Sequence, residues 1–138
     1  MAKFAYAFVK HSGASLVNPR RQEAAHAHCA VISPCGNHVH VSDLGLDQVV
    51  GYNLDAASAT LTPLHQPFVR TVGGGGPRHF TYNPQVGSAY ANNELTSTVN
   101  VFSYEAEKGL LIERQVISTL PDDFEGTNST ADIKTTPD

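Results

Sequence analysis

The sequence predicts an all-β fold: a β-propeller fragment with about two complete four-stranded blades and parts of the blades on either side. Three observations lead there. The stretches His28-Cys-Ala-Val-Ile-Ser-Pro34, Arg78-His-Phe-Thr-Tyr-Asn-Pro84 and Ala131-Asp-Ile-Lys-Thr-Thr-Pro137 share one design, with Ser, Asn or Thr before a proline six residues on. The first two starts lie 50 residues apart, and that offset persists through Val49/Val99, Tyr52/Phe102, Asp55/Glu105 and Leu61/Leu111. Each period holds four short segments rich in Val, Ile, Tyr, Phe and Thr, and apolar spacing of three and four residues is sustained nowhere. Four strands in a tandem repeat of this length describe a propeller blade, whereas a β-helix needs a shorter period and a sandwich needs none.

The elements follow in chain order. Residues 1–27 are expected to be the tail of a preceding blade, with Phe4-Ala-Tyr-Ala-Phe-Val9 as an outer strand. A first blade over 28–77 carries strands at Ala30–Ser33, His38–Ser42 and Gln48–Leu54, and a looser one through Leu61 and Leu64 to Val69. A second over 78–130 carries Phe80–Tyr82, Ser88–Asn92, Thr98–Tyr104 and Leu110–Ser118, and 131–138 begins a third. Turn residues separate the strands, as in Pro34-Cys-Gly-Asn37 and Glu105-Ala-Glu-Lys-Gly109. Alternation in His38-Val-His-Val-Ser42 and Val99-Asn-Val-Phe-Ser-Tyr104 fits strands with two unlike faces. At 138 residues the chain suffices for one ordinary domain with a core. Two blades fall short of the roughly four to eight that close a propeller, so the chain is expected to be a piece of a longer protein with uncovered, association-prone faces.

Composition narrows the partners. The net charge is −4 and the nine Lys and Arg residues form no dense patch beyond Arg20-Arg21, which speaks against nucleic acid. The apolar run near the N-terminus is six residues, too short for a membrane span or a signal core, so no membrane partner and a cytoplasmic location are expected. Cys29 and Cys35 bracket a strand, beyond disulfide reach, and are expected as free thiols.

The repeat also locates candidate chemistry. Antiparallel pairing places the start of a first strand beside the end of a second. His28 and Arg78 precede first strands, and Asp43 and Glu94 follow second strands with a one-residue slip between the repeats. An imidazole, a guanidinium and two carboxylates therefore share one rim of the central channel. Each has a plainer reading. Asp43 fits a turn cap, and Arg78 with Glu94 fits a rim ion pair. His26-Ala-His28-Cys29 has the look of a metal tripod, but alternate strand residues supply only two ligands to one face, so no metal is expected. Gly73-Gly-Gly-Gly-Pro-Arg-His79 reads either as a flexible connector or as a nest of backbone N–H groups suited to a phosphate or carboxylate. His38, His40 and His65 occupy ordinary strand positions.

Arg21-Gln-Glu-Ala-Ala-His-Ala-His28, Asp43-Leu-Gly-Leu-Asp-Gln-Val49, Gly76-Pro-Arg-His79, Asn93-Glu-Leu-Thr-Ser-Thr-Val99 and Ile117-Ser-Thr-Leu-Pro121 together resemble the lactonase family of seven-bladed β-propellers. That family includes 6-phosphogluconolactonases of the pentose phosphate pathway and carboxymuconate lactonising enzymes. The resemblance implies an active site of His, Arg, Glu and a second Arg. Arg78 and Glu94 match by motif; His28 is favoured over His26 as the repeat counterpart of Arg78; the second Arg belongs beyond residue 138. His26, Gly76, His79 and Asp43 stand beside them as candidate substrate contacts. Ala25 departs from the usual Pro, and Cys35 from the usual turn Asp. The resemblance implies hydrolysis of a small anionic sugar lactone without cofactor or metal, with lactonisation of a muconate as the alternative and a non-catalytic propeller platform as the competing class.

Overall fold

The computed structural model describes residues 7–136. Two four-stranded antiparallel sheets follow one another in the chain, each a simple meander. The first comprises β1 (Ala27–Ile32), β2 (His38–Asp43), β3 (Gln48–Asp55) and β4 (Thr60–Arg70). The second comprises β5 (Pro77–Asn83), β6 (Ser88–Asn93), β7 (Thr98–Glu105) and β8 (Leu110–Ser118). No helix occurs among the described residues. Strand register repeats at the offset seen in the sequence, since Ala27 faces Asp43 and Pro77 faces Asn93.

The first strands of both sheets begin three residues earlier than the sequence suggests. His28 and Arg78 lie inside β1 and β5, not before them, and both ladders shift register there, between Ala27 and Cys29 and between Pro77 and His79. A bulge adds an unpaired residue that local alternation in sequence does not reveal.

The sheets pack face to face, with β5 against β1 and β2. Val49, Phe80, Tyr82, Ala89, Ala91, Phe102 and Leu111 form the buried cluster. The seam between the sheets is lined by rings. His40 stacks on Phe80 with centroids 5.6 Å apart, and Tyr82 and Tyr104 meet it edge-on. The hydroxyl of Tyr82 lies 2.5 Å from His40 Nδ1, and the Gly109 carbonyl accepts from His40 Nε2 at 3.1 Å. Burial pushes the His40 imidazole down to about 4, so it is neutral in the folded protein near neutral pH. Gly109 has a φ of 67°, and a Cβ there would come within 2.9 Å of the His38 ring, so the seam closes only over glycine. His38 and His40 thus hold the sheets together, away from the rim.

Two irregular segments dress the sheets. Of the expected outer strand Phe4–Val9, residues 4–6 lie outside the described residues and 7–9 are in no strand. Residues 11–22 instead run across the turns of the first sheet. His11 bonds Asp43 and Tyr52, and the fully buried Gln22 bonds the Leu44 carbonyl and Asp47. After β8, Thr130 bonds the backbone of Asn93, and Thr135 donates to the Tyr82 carbonyl. Of the expected blade start at 131–138, residues 131–136 are in no strand and 137–138 lie outside the described residues. Cys29 and Cys35 are free thiols.

Candidate functional site

The bulges explain how an imidazole and a guanidinium reach the same rim. A bulged residue leaves the ladder and its side chain is re-aimed, so His28 and Arg78 project at matching positions of neighbouring sheets. Glu94 follows β6, with its amide held by the Gly76 carbonyl, and its carboxylate turns back to the rim. Arg78 Nε forms an ion pair with Glu94 Oε2 at 2.9 Å. The other oxygen, Oε1, accepts from Nη2 of Arg21 at 2.5 Å. One carboxylate therefore holds two guanidiniums, one from its own sheet and one from the segment before β1. Arg78 also donates to the Ala131 carbonyl.

The His28 ring lies 5.3 Å from the His79 ring, centroid to centroid. Partial loss of its water, then the Arg78 charge and His79, hold the His28 imidazole below its ordinary value, against an opposing pull from Glu94. His79 Nδ1 bonds Asp132 at 2.6 Å, while its amide donates to the Asn92 side chain. Lys134 and then His79 keep the Asp132 carboxyl well below the usual carboxylate range. The rim thus carries an imidazole whose neutral form is favoured by partial burial and by the neighbouring guanidinium. His28, Arg78, Glu94 and His79 are brought together as the sequence suggests.

Two expected substrate contacts are committed elsewhere, and a third lies in a groove beside the rim. Asp43 is fully buried. Its Oδ1 accepts from the amides of His26, Gly45 and Leu46 and its Oδ2 pairs with His11, so it caps its turn and offers nothing to a ligand. The Gly76 amide is also committed, donating to Asp47 Oδ1, and Gly74 donates to Asp47 Oδ2. The glycine loop does form a nest, but the anion in it is the chain's own carboxylate. His26 bonds Glu23 at 2.8 Å, not the Arg78–Glu94 pair. It lines, with Arg20, Arg21 and His28, a groove of about 370 Å³ that borders the rim.

Arg21 is the site residue that sequence reasoning missed. Its partner lies 73 residues away, beyond any local pattern. The signal available was the position of Arg20-Arg21, the one local concentration of cations, just ahead of the His-x-His pair.

The sequence model of the family described as "Lactonase, 7-bladed beta-propeller" matches residues 2–138. The chain belongs to this family. A 6-phosphogluconolactonase of Bacillus subtilis is 35% identical over 118 residues, which are 86% of this lactonase-family chain and 33% of that protein. A Lactococcus lactis protein, YwcC, described as uncharacterized, is 37% identical over 132 residues, 94% of this chain and 36% of that one. Among solved structures, the periplasmic gluconolactonase PpgL of Pseudomonas aeruginosa superposes with a TM-score of 0.77 at 35% identity, over 86% of this chain and 33% of that one. The lactonase-family chain spans about a third of the length of these relatives. Its two sheets correspond to blades of the propeller, and the Bacillus subtilis and Pseudomonas aeruginosa relatives are named as lactonases.

Proposed function

We propose that the protein containing this chain hydrolyses the ring of a small anionic sugar lactone, with 6-phosphogluconolactone as the first substrate to test. The observation that carries the reading is the His28 imidazole on the same rim as a guanidinium, Arg78, that Glu94 holds in place, with burial and the Arg78 charge favouring the neutral form of the ring. Arg78 polarises the lactone carbonyl and takes the negative charge that builds on its oxygen. His28 accepts a proton from water as the water oxygen bonds the carbonyl carbon. When the tetrahedral intermediate collapses, the bond from that carbon to the ring oxygen breaks, and the imidazolium returns the proton to the departing alkoxide. Glu94, with both oxygens on cations, serves to orient Arg78. No step calls for a metal.

The reading includes a cytosolic setting, supported by two free cysteines, which persist where thiols stay reduced. Fractionation tests it, since a similar protein is described as periplasmic. The deciding measurement is turnover by the intact parent protein of 6-phosphogluconolactone and, separately, of carboxymuconate, each with and without chelator. Hydrolysis that survives chelator is expected. Cyclisation of the muconate alone would replace hydrolysis by lactonisation, and activity lost to chelator would point to a metal instead.

A further inference from the structure

Arg21 is held in an unusual way. Its side chain is 49% exposed, and Glu94 Oε1 is its hydrogen-bond partner among the described residues. A guanidinium carries five N–H donors. Most of those on Arg21 are therefore uncommitted. Arg78, by contrast, is tied through Nε to Glu94 and through Nη1 to the Ala131 carbonyl, and its side chain is 26% exposed. Two cations share one carboxylate, so the cluster keeps one net positive charge on a chain whose net charge is −4. Arg21 and Arg20 both line the groove that runs on from His28, where Glu23 is already engaged by His26.

These facts divide the labour between the two arginines. Resting on the lactone-hydrolysis reading above, we infer that Arg21 determines specificity at this site by binding a phosphate that the substrate carries away from its lactone ring. The fork of free donors matches phosphate oxygens, and a group that still bonds Glu94 is aimed before the ligand arrives. Arg78 stays with the carbonyl while Arg21 anchors the far end of the substrate in the groove. Glu94 competes with that phosphate for Arg21 and so sets its affinity.

The test is titration of the full 138-residue chain with inorganic phosphate at constant ionic strength, followed by amide NMR, with acetate as the carboxylate arm. Phosphate should shift the signals of Arg21 and Glu94 and bind more tightly than acetate. Arg21→Gln should weaken phosphate binding about tenfold or more, the loss of a charge-assisted hydrogen bond, and Arg21→Lys should weaken it less. Glu94→Gln removes the competitor and should tighten it. Equal binding by wild type and Arg21→Gln, no gain in Glu94→Gln, acetate binding as well as phosphate, or no phosphate binding would each overturn the inference. The readout is binding, so it separates from turnover. Lactone hydrolysis without Arg21-dependent phosphate binding refutes the inference alone; Arg21-dependent binding without hydrolysis refutes the catalytic reading alone.

Discussion

Asp43 and Asn93 close the second strands of the two blades, and Asp47 and Ser97 hold the same left-handed position in the turns that follow, with φ of 54° and 52°. The backbones match, but the charges do not. In the first blade both positions are carboxylates, buried and satisfied from within: Asp43 by three amides and His11, Asp47 by Ser15, Gln22, Gly74 and Gly76. In the second blade they become an amide and a hydroxyl. Asn93 donates to Thr98 and Asn100, and Ser97 donates to Asn128. The second blade's carboxylate stands one residue later, at Glu94, where its partners are long side chains at a rim. An anion held by backbone amides is structural and fixed. One held by arginines that also face solvent can share them with a ligand.

The largest expected effect tests the fixed half of that contrast. Asp47→Ala strips four donors of a buried charged acceptor and should cost roughly 3–5 kcal/mol in chemical denaturation, while Ser97→Ala at the matching position should cost about 1 kcal/mol. Equal costs would erase the distinction between the blades. The exchangeable half is tested by Arg78→Ala in the intact parent. It should lower the hydrolysis rate about 10²–10³-fold, as loss of one oxyanion donor does, with a change in thermal midpoint no larger than one partly exposed ion pair explains.

A third test uses pH. His40 in β2 has Tyr90 as its counterpart in the second blade, so only the first blade carries an imidazole at this position. The folded chain resists protonating His40 until about pH 4, whereas the unfolded chain takes up that proton near the ordinary 6.5. The unfolded state therefore binds more protons between those values, and stability falls as the pH drops through that window, by up to roughly 3 kcal/mol, and then levels from this cause. Denaturation midpoints across the window should show the slope, and His40→Gln should flatten it; an unchanged slope would assign the effect elsewhere. The smallest effect belongs to Glu94→Gln, whose stability cost should stay near about 1 kcal/mol because its partners keep access to water. A loss as large as that of Asp47→Ala would make Glu94 structural after all.

What was legible in the sequence follows the range of the interactions. The 50-residue offset and strand alternation are local or periodic, and they yielded both sheets and their order. Arg78 and Glu94 were legible because each sits in a short motif, and His28 because the repeat projects Arg78 onto it. Arg21 opens the motif that ends at His28, but its role was not legible, since its partner comes from the next blade. The misreading of Gly76 as a ligand contact has the same cause. Asp47 lies 29 residues before it, so the loop's amides looked free until the fold brought their acceptor. Asp43 met a similar fate through His11, 32 residues upstream.

The bulges at His28 and Arg78 bear on how such a protein changes over time. A residue outside the ladder contributes little to strand pairing, so replacing it leaves the register of β1 or β5 intact. Each blade therefore offers the channel mouth a socket whose occupant is nearly independent of the scaffold. Imidazole in one socket and guanidinium in the next are two fillings of the same mounting. New reactivity at this mouth is within reach of single substitutions that the fold scarcely registers.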